Sequence, residues 1–260
     1  MHKGLATTIY GFTIVFFALF FVYPIWHTVK EAFVTPEDTF TLVYIAEIFK
    51  NPIYVEGLIN SFYMGLFTTL LSLLIALPLA LMANHWDFRG KEILNSLILV
   101  PLILPPFVGA LGIRQILGQA GVLNAFLIDL GLMDANAPHD WLGEGQLLGV
   151  VLMNALHLYP IAYLNISAAL ANVDPAMEEA AENLGCHGIR RLSRITLPMI
   201  MPGVFAGATI IFIWSFTELG VPLICDFGRV TAVQIFHGIK DLSGNPFPYA
   251  LVVLMLVATV

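Results

Sequence analysis

The sequence predicts an all-α polytopic membrane protein, a helical bundle of about six transmembrane helices. Of its 260 residues, 58% are hydrophobic and only 11% are charged, whereas soluble domains carry about a quarter charged residues. Five stretches contain no Asp, Glu, Lys or Arg and are long enough to cross the hydrocarbon core, which takes about 20 residues of helix. Composition and segment length therefore place most of the chain in a bilayer.

These five stretches are residues 5–29, 57–86, 93–113, 145–173 and 197–217. Each is too long for a strand of an outer-membrane barrel, which alternates over about ten residues. The first has no small-residue cleavage site after a short apolar core, so we interpret it as a retained helix and not as a signal peptide. A sixth begins near Phe247 and is still apolar at Val260, short of the roughly 20 residues that span a bilayer. We therefore expect this sixth helix to be incomplete here and the natural polypeptide to continue.

The distribution of Lys and Arg predicts a cytoplasmic N-terminus, since positively charged loops remain in the cytoplasm. In this orientation the basic residues of the cytoplasmic segments are Lys3, Arg89, Lys91, Arg190, Arg191 and Arg194. The longer outer loops hold fewer, namely Lys30, Lys50, Arg229 and Lys240. Most acidic residues fall in the outer loops and account for the net charge of -7, which gives no indication of a nucleic-acid partner.

The sequence contains none of the common motifs of catalytic or metal centres. Its seven histidines show no metal-ligand spacing, and H-E-x-x-H and G-x-S-x-G motifs are absent. The Gly90-Lys91 pair is followed by Glu92 and lacks the upstream glycine of a P-loop. We therefore expect no cofactor on this chain, and any nucleotide hydrolysis would have to be carried out by another chain. Cys186 and Cys225 would lie on opposite sides of the membrane, so no disulfide is expected.

The most hydrophilic long stretch is EEAAENLGCHGIRRLSRITLP, residues 178–198, in the predicted cytoplasmic loop between the fourth and fifth spans. Asp174 is a favourable N-cap and Pro175 suits the first helical position, so a helix should begin there. Gly185 and Gly188 permit left-handed turns, after which a second short basic helix should cover residues 189–196. The loop is therefore predicted to form a helix, a tight turn and another helix.

This loop matches every position of the E-A-A-x3-G-x9-I-x-L-P pattern of binding-protein-dependent importers, at Glu179, Ala180, Ala181, Gly185, Ile195, Leu197 and Pro198. The chain therefore resembles the transmembrane permease subunit of type I ABC importers, over roughly residues 57–260. Further similarities are Asn60-Ser61 at the second span, Pro101 and Pro105-Pro106 in the third, and Glu218 near the end of the fifth. Residues 1–56 precede this region and are expected, from their hydropathy, to form a first transmembrane helix and outer loop. Residues 57–260 would then be the permease core, with a cytoplasmic coupling loop at 174–197.

The resemblance also implies partners and a location in the bacterial cytoplasmic (inner) membrane. The coupling loop would dock on an ABC ATPase dimer through Glu179, Ala180, Ala181, Leu184 and Gly185. The other implied partners are an extracytoplasmic solute-binding protein, membrane lipid and a second permease half, which could be an identical chain, a different chain or a fused half. The alternative for the loop is a surface hairpin that only connects two spans.

The candidate residues of a translocation pathway are Glu218, Arg114, His157, Asn154 and Tyr159. Ionisable groups at membrane depth are costly and often lie on transport routes. Glu218 would attract a cationic solute or form a gate contact with Arg114; the alternative is that it caps a helix end. Arg114 could equally reach outward to the membrane surface, and His157 could simply bond a neighbouring helix.

The solute is indicated only by resemblance. The run SFTELGVPLI at residues 215–224 and the segments that follow it resemble permeases for ferric iron, thiamine and aminoethylphosphonate more than those for sugars or amino acids. Ferric iron is the preferred interpretation, while polyamine and molybdate or sulfate permeases share parts of the pattern. A secondary transporter that works without an ATPase is the alternative from a different class.

Overall fold

A computed structural model describes residues 3–35, 37–142, 147–240 and 245–259 of the chain. These residues form helices with short connections, and the extended pairing found among them is an isolated bridge between Val34 and Phe40. The predicted all-α class is therefore confirmed. The helices divide into two compact units, one made of residues 1–58 and 231–260 and the other of residues 59–230.

The helices of the first unit are, in chain order, α1 (Lys3–Phe17), α2 (Tyr23–Phe33), α3 (Val43–Ile48), the first turns of α4 (Pro52–His85), α13 (Thr231–Lys240) and α14 (Phe247–Thr259). A π turn at Ala18–Val22 joins α1 and α2 into one long apolar helix. Ala32, Ile48, Ala250 and Leu251 form a small buried core. In contrast, the apolar window of the long first helix has no buried residue, so its surface is available to lipid or to another chain.

The second unit contains the rest of α4, α5 (Lys91–Ile103), α6 (Pro106–Leu117), α7 (Val122–Asp129), α8 (Leu147–Ala171), α9 (Pro175–Asn183), α10 (Gly188–Arg191), α11 (Leu197–Phe216) and α12 (Gly220–Ile224). Helix α8 lies at its centre, because 61% of its apolar window is buried compared with 33% for α4. Leu158, Ile161 and Ile166 of α8 pack there against small residues of α4, among them Ala76 and Ala80. A helix with apolar residues on all sides is expected at such a position.

Helices α8 and α11 approach each other closely at a glycine pair, Gly203 and Gly207, spaced four residues apart as in G-x-x-x-G motifs. A Cβ atom at Gly207 would meet the Ala162 Cα at 3.1 Å and the Asn165 Cβ at 3.3 Å. Inside a bilayer, where lipid tails are as apolar as side chains, such close packing is a main source of helix association. The small residues therefore hold α8 and α11 together as a tight pair.

The prediction of one continuous helix for the third span, residues 93–113, was wrong. Helix α5 ends at Ile103, Leu104 is extended at φ -82° and ψ 138°, and α6 begins at Pro106. Pro105 and Pro106 have no N–H to donate to the carbonyls one turn earlier, and a residue before proline is driven out of the helical region. The prolines were visible in the sequence, but hydropathy alone does not report that they divide the span.

The other predicted spans have helical counterparts. Helices long and apolar enough to cross a membrane among the described residues are Thr7–Phe33, Pro52–His85, Pro106–Asp129, Leu147–Ala171 and Gly188–Phe216. The stretch Pro106–Asp129 is itself interrupted between α6 and α7, where Gly118 and Gly121 are extended. The sixth predicted span is the shorter helix α14, and residue 260 lies outside the described part of the chain.

Candidate functional site

The loop between α8 and α11 folds through local capping signals. The Asp174 side chain accepts a hydrogen bond from the Ala176 N–H at 2.9 Å and starts α9. At the other end Gly185 has φ +78°, the Cys186 N–H donates to the Ala181 carbonyl, and the Gly185 N–H donates to the Glu182 carbonyl, both at 2.9 Å. This is the Schellman arrangement that satisfies the last carbonyls of a helix. The predicted first helix and its glycine stop are therefore confirmed.

The second arm of the loop differs from the prediction. Gly188 adopts φ +57° and begins α10, as expected, but the chain then passes through a π turn at Leu192–Thr196 directly into α11. The separate short helix predicted for residues 189–196 is therefore the first part of a helix that continues to Phe216. Pro198 does not end it, because it lies in the first turn of α11 directly after the π turn, a position at which a helix tolerates proline.

The outer side of the loop exposes apolar groups. Leu184 and Ile189 are 88% and 85% exposed, and Met177 is half exposed. Of the residues predicted for ATPase contact, Glu179, Ala180, Leu184 and Gly185 are also exposed, whereas Ala181 is buried. Exposed apolar side chains next to charged ones are typical of a protein contact surface. We name Met177, Leu184 and Ile189 the loop tip.

The inner side of the loop is tied down by contacts that the sequence reasoning missed. The Glu178 Oε1 accepts from the Thr196 hydroxyl at 2.7 Å, and its Oε2 lies 3.5 Å from the His85 Nε2 at the end of α4. Glu182 pairs with Arg191 and joins the two arms of the loop. Glu178 stands next to the E-A-A motif, so its position in the sequence is conspicuous. Its partners could not be predicted because they are distant in sequence.

The predicted cytoplasmic loop after α4 carries an ion pair of its own. The Lys91 Nζ at the start of α5 lies 2.9 Å from the Oδ1 of Asp87, four residues earlier in the loop. The hydrogen bond and the charge of Lys91 hold the pKa of the exposed Asp87 carboxyl below its ordinary value. This pair stabilises the beginning of α5 only modestly, since it is open to water.

Two of the predicted pathway residues hold helix α12. The Glu218 Oε1 accepts from the Gly220 N–H at 2.8 Å and from the Val221 N–H at 3.4 Å. The Arg114 Nη1 donates to the Ile224 carbonyl at 2.7 Å. The structure therefore supports a capping role for Glu218 and connects it to Arg114 through α12.

The remaining pathway candidates do not converge on one point. Asn154 is buried, and its Nδ2 donates to the Ser215 Oγ of α11 over a long 3.5 Å. His157 is also buried and lies beside the Pro101 carbonyl. Tyr159 faces away and packs against the apolar core of the second unit. The structure thus gives Asn154 a contact between helices, places His157 beside the Pro101 carbonyl of α5 and leaves Tyr159 apart.

The Pro101 carbonyl beside His157 lacks the hydrogen-bond donor that a continuous helix would provide. In an α-helix the carbonyl of Pro101 would accept from residue 105, which is a proline without an N–H. Since buried polar groups within a membrane require partners, the imidazole of His157 is well placed to supply one. Ser215, which also donates to the Met64 carbonyl at 3.4 Å, was missed because a single serine in an apolar span gives no sequence signal.

Comparison with known proteins identifies the family. Residues 72–260 match the family model described as "Binding-protein-dependent transport system inner membrane component". The chain belongs to this family. It is thus a permease component of an ABC importer, located in the inner membrane, and the predicted resemblance is confirmed.

Relatives of this permease differ in the solute that their names give. It is 28% identical to the "Probable molybdenum ABC transporter permease protein" of Haloferax volcanii, over 78% of this chain and 72% of the relative. It is also 28% identical to the "Ferric transport system permease protein" of Actinobacillus pleuropneumoniae, over 80% of this chain but only 28% of that longer relative. Similarity at this level does not distinguish an oxyanion from a metal cation as the solute.

The fold of the permease is shared with a solved importer. A bacterial ABC transporter that imports the acidic polysaccharide alginate contains a chain that aligns with a TM-score of 0.76. The alignment covers 99% of this permease and 93% of that chain at 19% identity. This likeness establishes the fold and nothing about the solute.

Proposed function

We propose that this permease forms half of the translocation pathway of an ATP-driven importer for a small polar solute or ion, most simply ferric iron. ATP and Mg²⁺ would bind to a separate ATPase dimer, and an extracytoplasmic binding protein would deliver the solute. The second half of the pathway would come from another permease chain or a fused half.

The observation that carries the proposal is the loop between α8 and α11. It combines the full E-A-A-x3-G-x9-I-x-L-P pattern with a rigid, doubly capped helix whose apolar loop tip is exposed. An element with both ends fixed transmits a displacement that a flexible linker would absorb. An apolar tip beside exposed Glu179 suits a groove on a protein partner better than contact with water. These features support docking of an ATPase at the loop.

Ferric iron as the solute rests on charge and on the resemblance of residues 215–224 to ferric permeases. The acidic residues of the sequence concentrate in its predicted outer loops, which would raise the local concentration of cations at the entrance. Such a field repels an oxyanion such as molybdate. The described residues include no cluster of three or more metal-binding side chains, so iron would pass as a substrate without a resident site.

The test is to purify the permease from native membranes with any ATPase that accompanies it and to place the complex in liposomes. With the binding protein present, ATP-dependent accumulation of radioactive ferric iron is expected, and accumulation of molybdate is not. Uptake of molybdate but not of iron would identify molybdate as the solute. The similarity to the molybdenum permease relative favours this alternative. Uptake without an ATPase would instead indicate a secondary transporter.

A further inference from the structure

Resting on the proposed function, we infer that Glu178 is the joint that transmits motion of the ATPase-facing loop to the membrane-spanning helices. Its side chain is only 19% exposed and points to the inner side of the loop, whereas the neighbouring Glu179 is exposed. These two neighbouring carboxylates thus have different tasks. Glu179 lies on the surface offered to a partner, and Glu178 holds the loop to the rest of the permease.

Each oxygen of the Glu178 carboxylate reaches a different helix. Oε1 accepts from the hydroxyl of Thr196, a residue that is 1% exposed and directly precedes α11. Oε2 faces the Nε2 of His85, the last residue of α4. One side chain on α9 therefore connects the loop to the ends of two membrane-spanning helices. A displacement of α9 pulls on both.

The orientation of His85 makes this connection stiff. Its Nδ1 lies 3.1 Å from the Leu81 carbonyl, one turn earlier in α4. A carbonyl only accepts hydrogen bonds, so Nδ1 carries a hydrogen and the ring is fixed with Nε2 towards Glu178. The Nε2 then lies 3.5 Å from the Glu178 Oε2, within the distance of an ion pair between an imidazolium and a carboxylate. The ring cannot turn away without losing its bond to α4.

The helix of the loop is held by contacts that do not involve the Glu178 side chain. It is capped by Asp174 and by the glycine turn at Gly185, and the two arms of the loop are joined by Glu182 and Arg191. Removal of the joint should therefore leave a folded loop that still presents its tip to the ATPase. The Glu182–Arg191 pair stays within the loop and its continuation, so Glu182 provides a matched control carboxylate.

The experiment measures ATPase attachment and helix movement separately and needs no knowledge of the solute. Single variants His85→Ala, Glu178→Gln and Glu182→Gln are purified with the accompanying ATPase. Each carries a reporter cysteine at the exposed Thr217, with Cys186 replaced by Ser and Cys225 by Ala. Copurification, ATP hydrolysis and the ATP-dependent change in maleimide labelling of the reporter are recorded.

His85→Ala and Glu178→Gln should retain the ATPase and hydrolyse ATP, while the labelling change falls at least about fivefold, the size of a typical coupling energy. Glu182→Gln should retain the full labelling change, because Asp174 and the glycine turn at Gly185 still cap the helix of the loop. A full labelling change in both His85→Ala and Glu178→Gln, or loss of the ATPase in His85→Ala, overturns the inference. Absence of an ATPase from the unmodified permease overturns the proposed function and with it the joint.

Discussion

Glu218 and Arg114 hold opposite ends of the same short helix, α12. The Glu218 carboxylate accepts from the Gly220 N–H at its beginning, and the Arg114 guanidinium donates to the Ile224 carbonyl at its end. Both charges have the sign that the helix dipole favours at their respective ends. Two residues first considered for solute contact therefore also determine where α12 lies.

Replacement of Glu218 by Gln should separate its charge from its capping role. The amide oxygen of Gln still accepts from the Gly220 N–H, so α12 keeps its start and only the negative charge is lost. We expect uptake to fall about tenfold, because a costly intramembrane charge is expected to serve the transport route. Expression and ATPase attachment should be unchanged. Transport assays in liposomes measure this. Uptake kinetics equal to those of the unmodified permease would leave Glu218 with a capping role alone.

Replacement of Gly207 by Val should destabilise the permease. The added side chain enters the contact between α8 and α11, where a Cβ would already meet Ala162 at 3.1 Å, and overpacking of this kind costs roughly 1–3 kcal/mol. Thermal unfolding in detergent should show a lower midpoint. The control is Gly112→Val in α6, where a Cβ meets nothing within 4 Å. Equal midpoints for the two variants would argue against tight α8–α11 packing.

Replacement of Leu184 by Ser should weaken ATPase binding without affecting folding. Leu184 belongs to the loop tip and is 88% exposed, so its side chain contributes little to the stability of the isolated permease. Loss of an apolar anchor at an interface costs about 1–3 kcal/mol, or roughly 5- to 150-fold in affinity. Leu132→Ser, at a position 72% exposed in the predicted outer loop, is the control. The same ATPase affinity in both variants would place the docking surface elsewhere.

The predicted orientation can be checked by labelling with a membrane-impermeant maleimide. A cysteine at Thr35 should react from outside and one at Ser193 from inside, because the basic residues favour a cytoplasmic N-terminus. Cys186 must first be replaced by Ser, since it lies in the same loop as Ser193. Reaction of both positions from one side of sealed vesicles would refute the topology.

Sequence reasoning succeeded where the determining interactions are local. The start of α9 at Asp174 and its stop at Gly185 depend on residues within one or two turns, so both could be predicted. The division of the third span depends on which carbonyls two prolines leave without donors, which hydropathy does not measure. The contacts of Glu178 with His85 and of Arg114 with Ile224 join distant parts of the chain. Pattern and composition alone do not predict such pairs.

The glycine contact between α8 and α11 limits the kind of motion that the loop can produce. The loop connects two helices that are fastened to each other, so a force on α9 cannot spread them apart. We expect a force on the loop to move α8 and α11 together as one rigid unit. Under the proposed coupling to an ATPase, relative movement would therefore have to occur where α8 and α11 meet their other neighbours and not between these two helices.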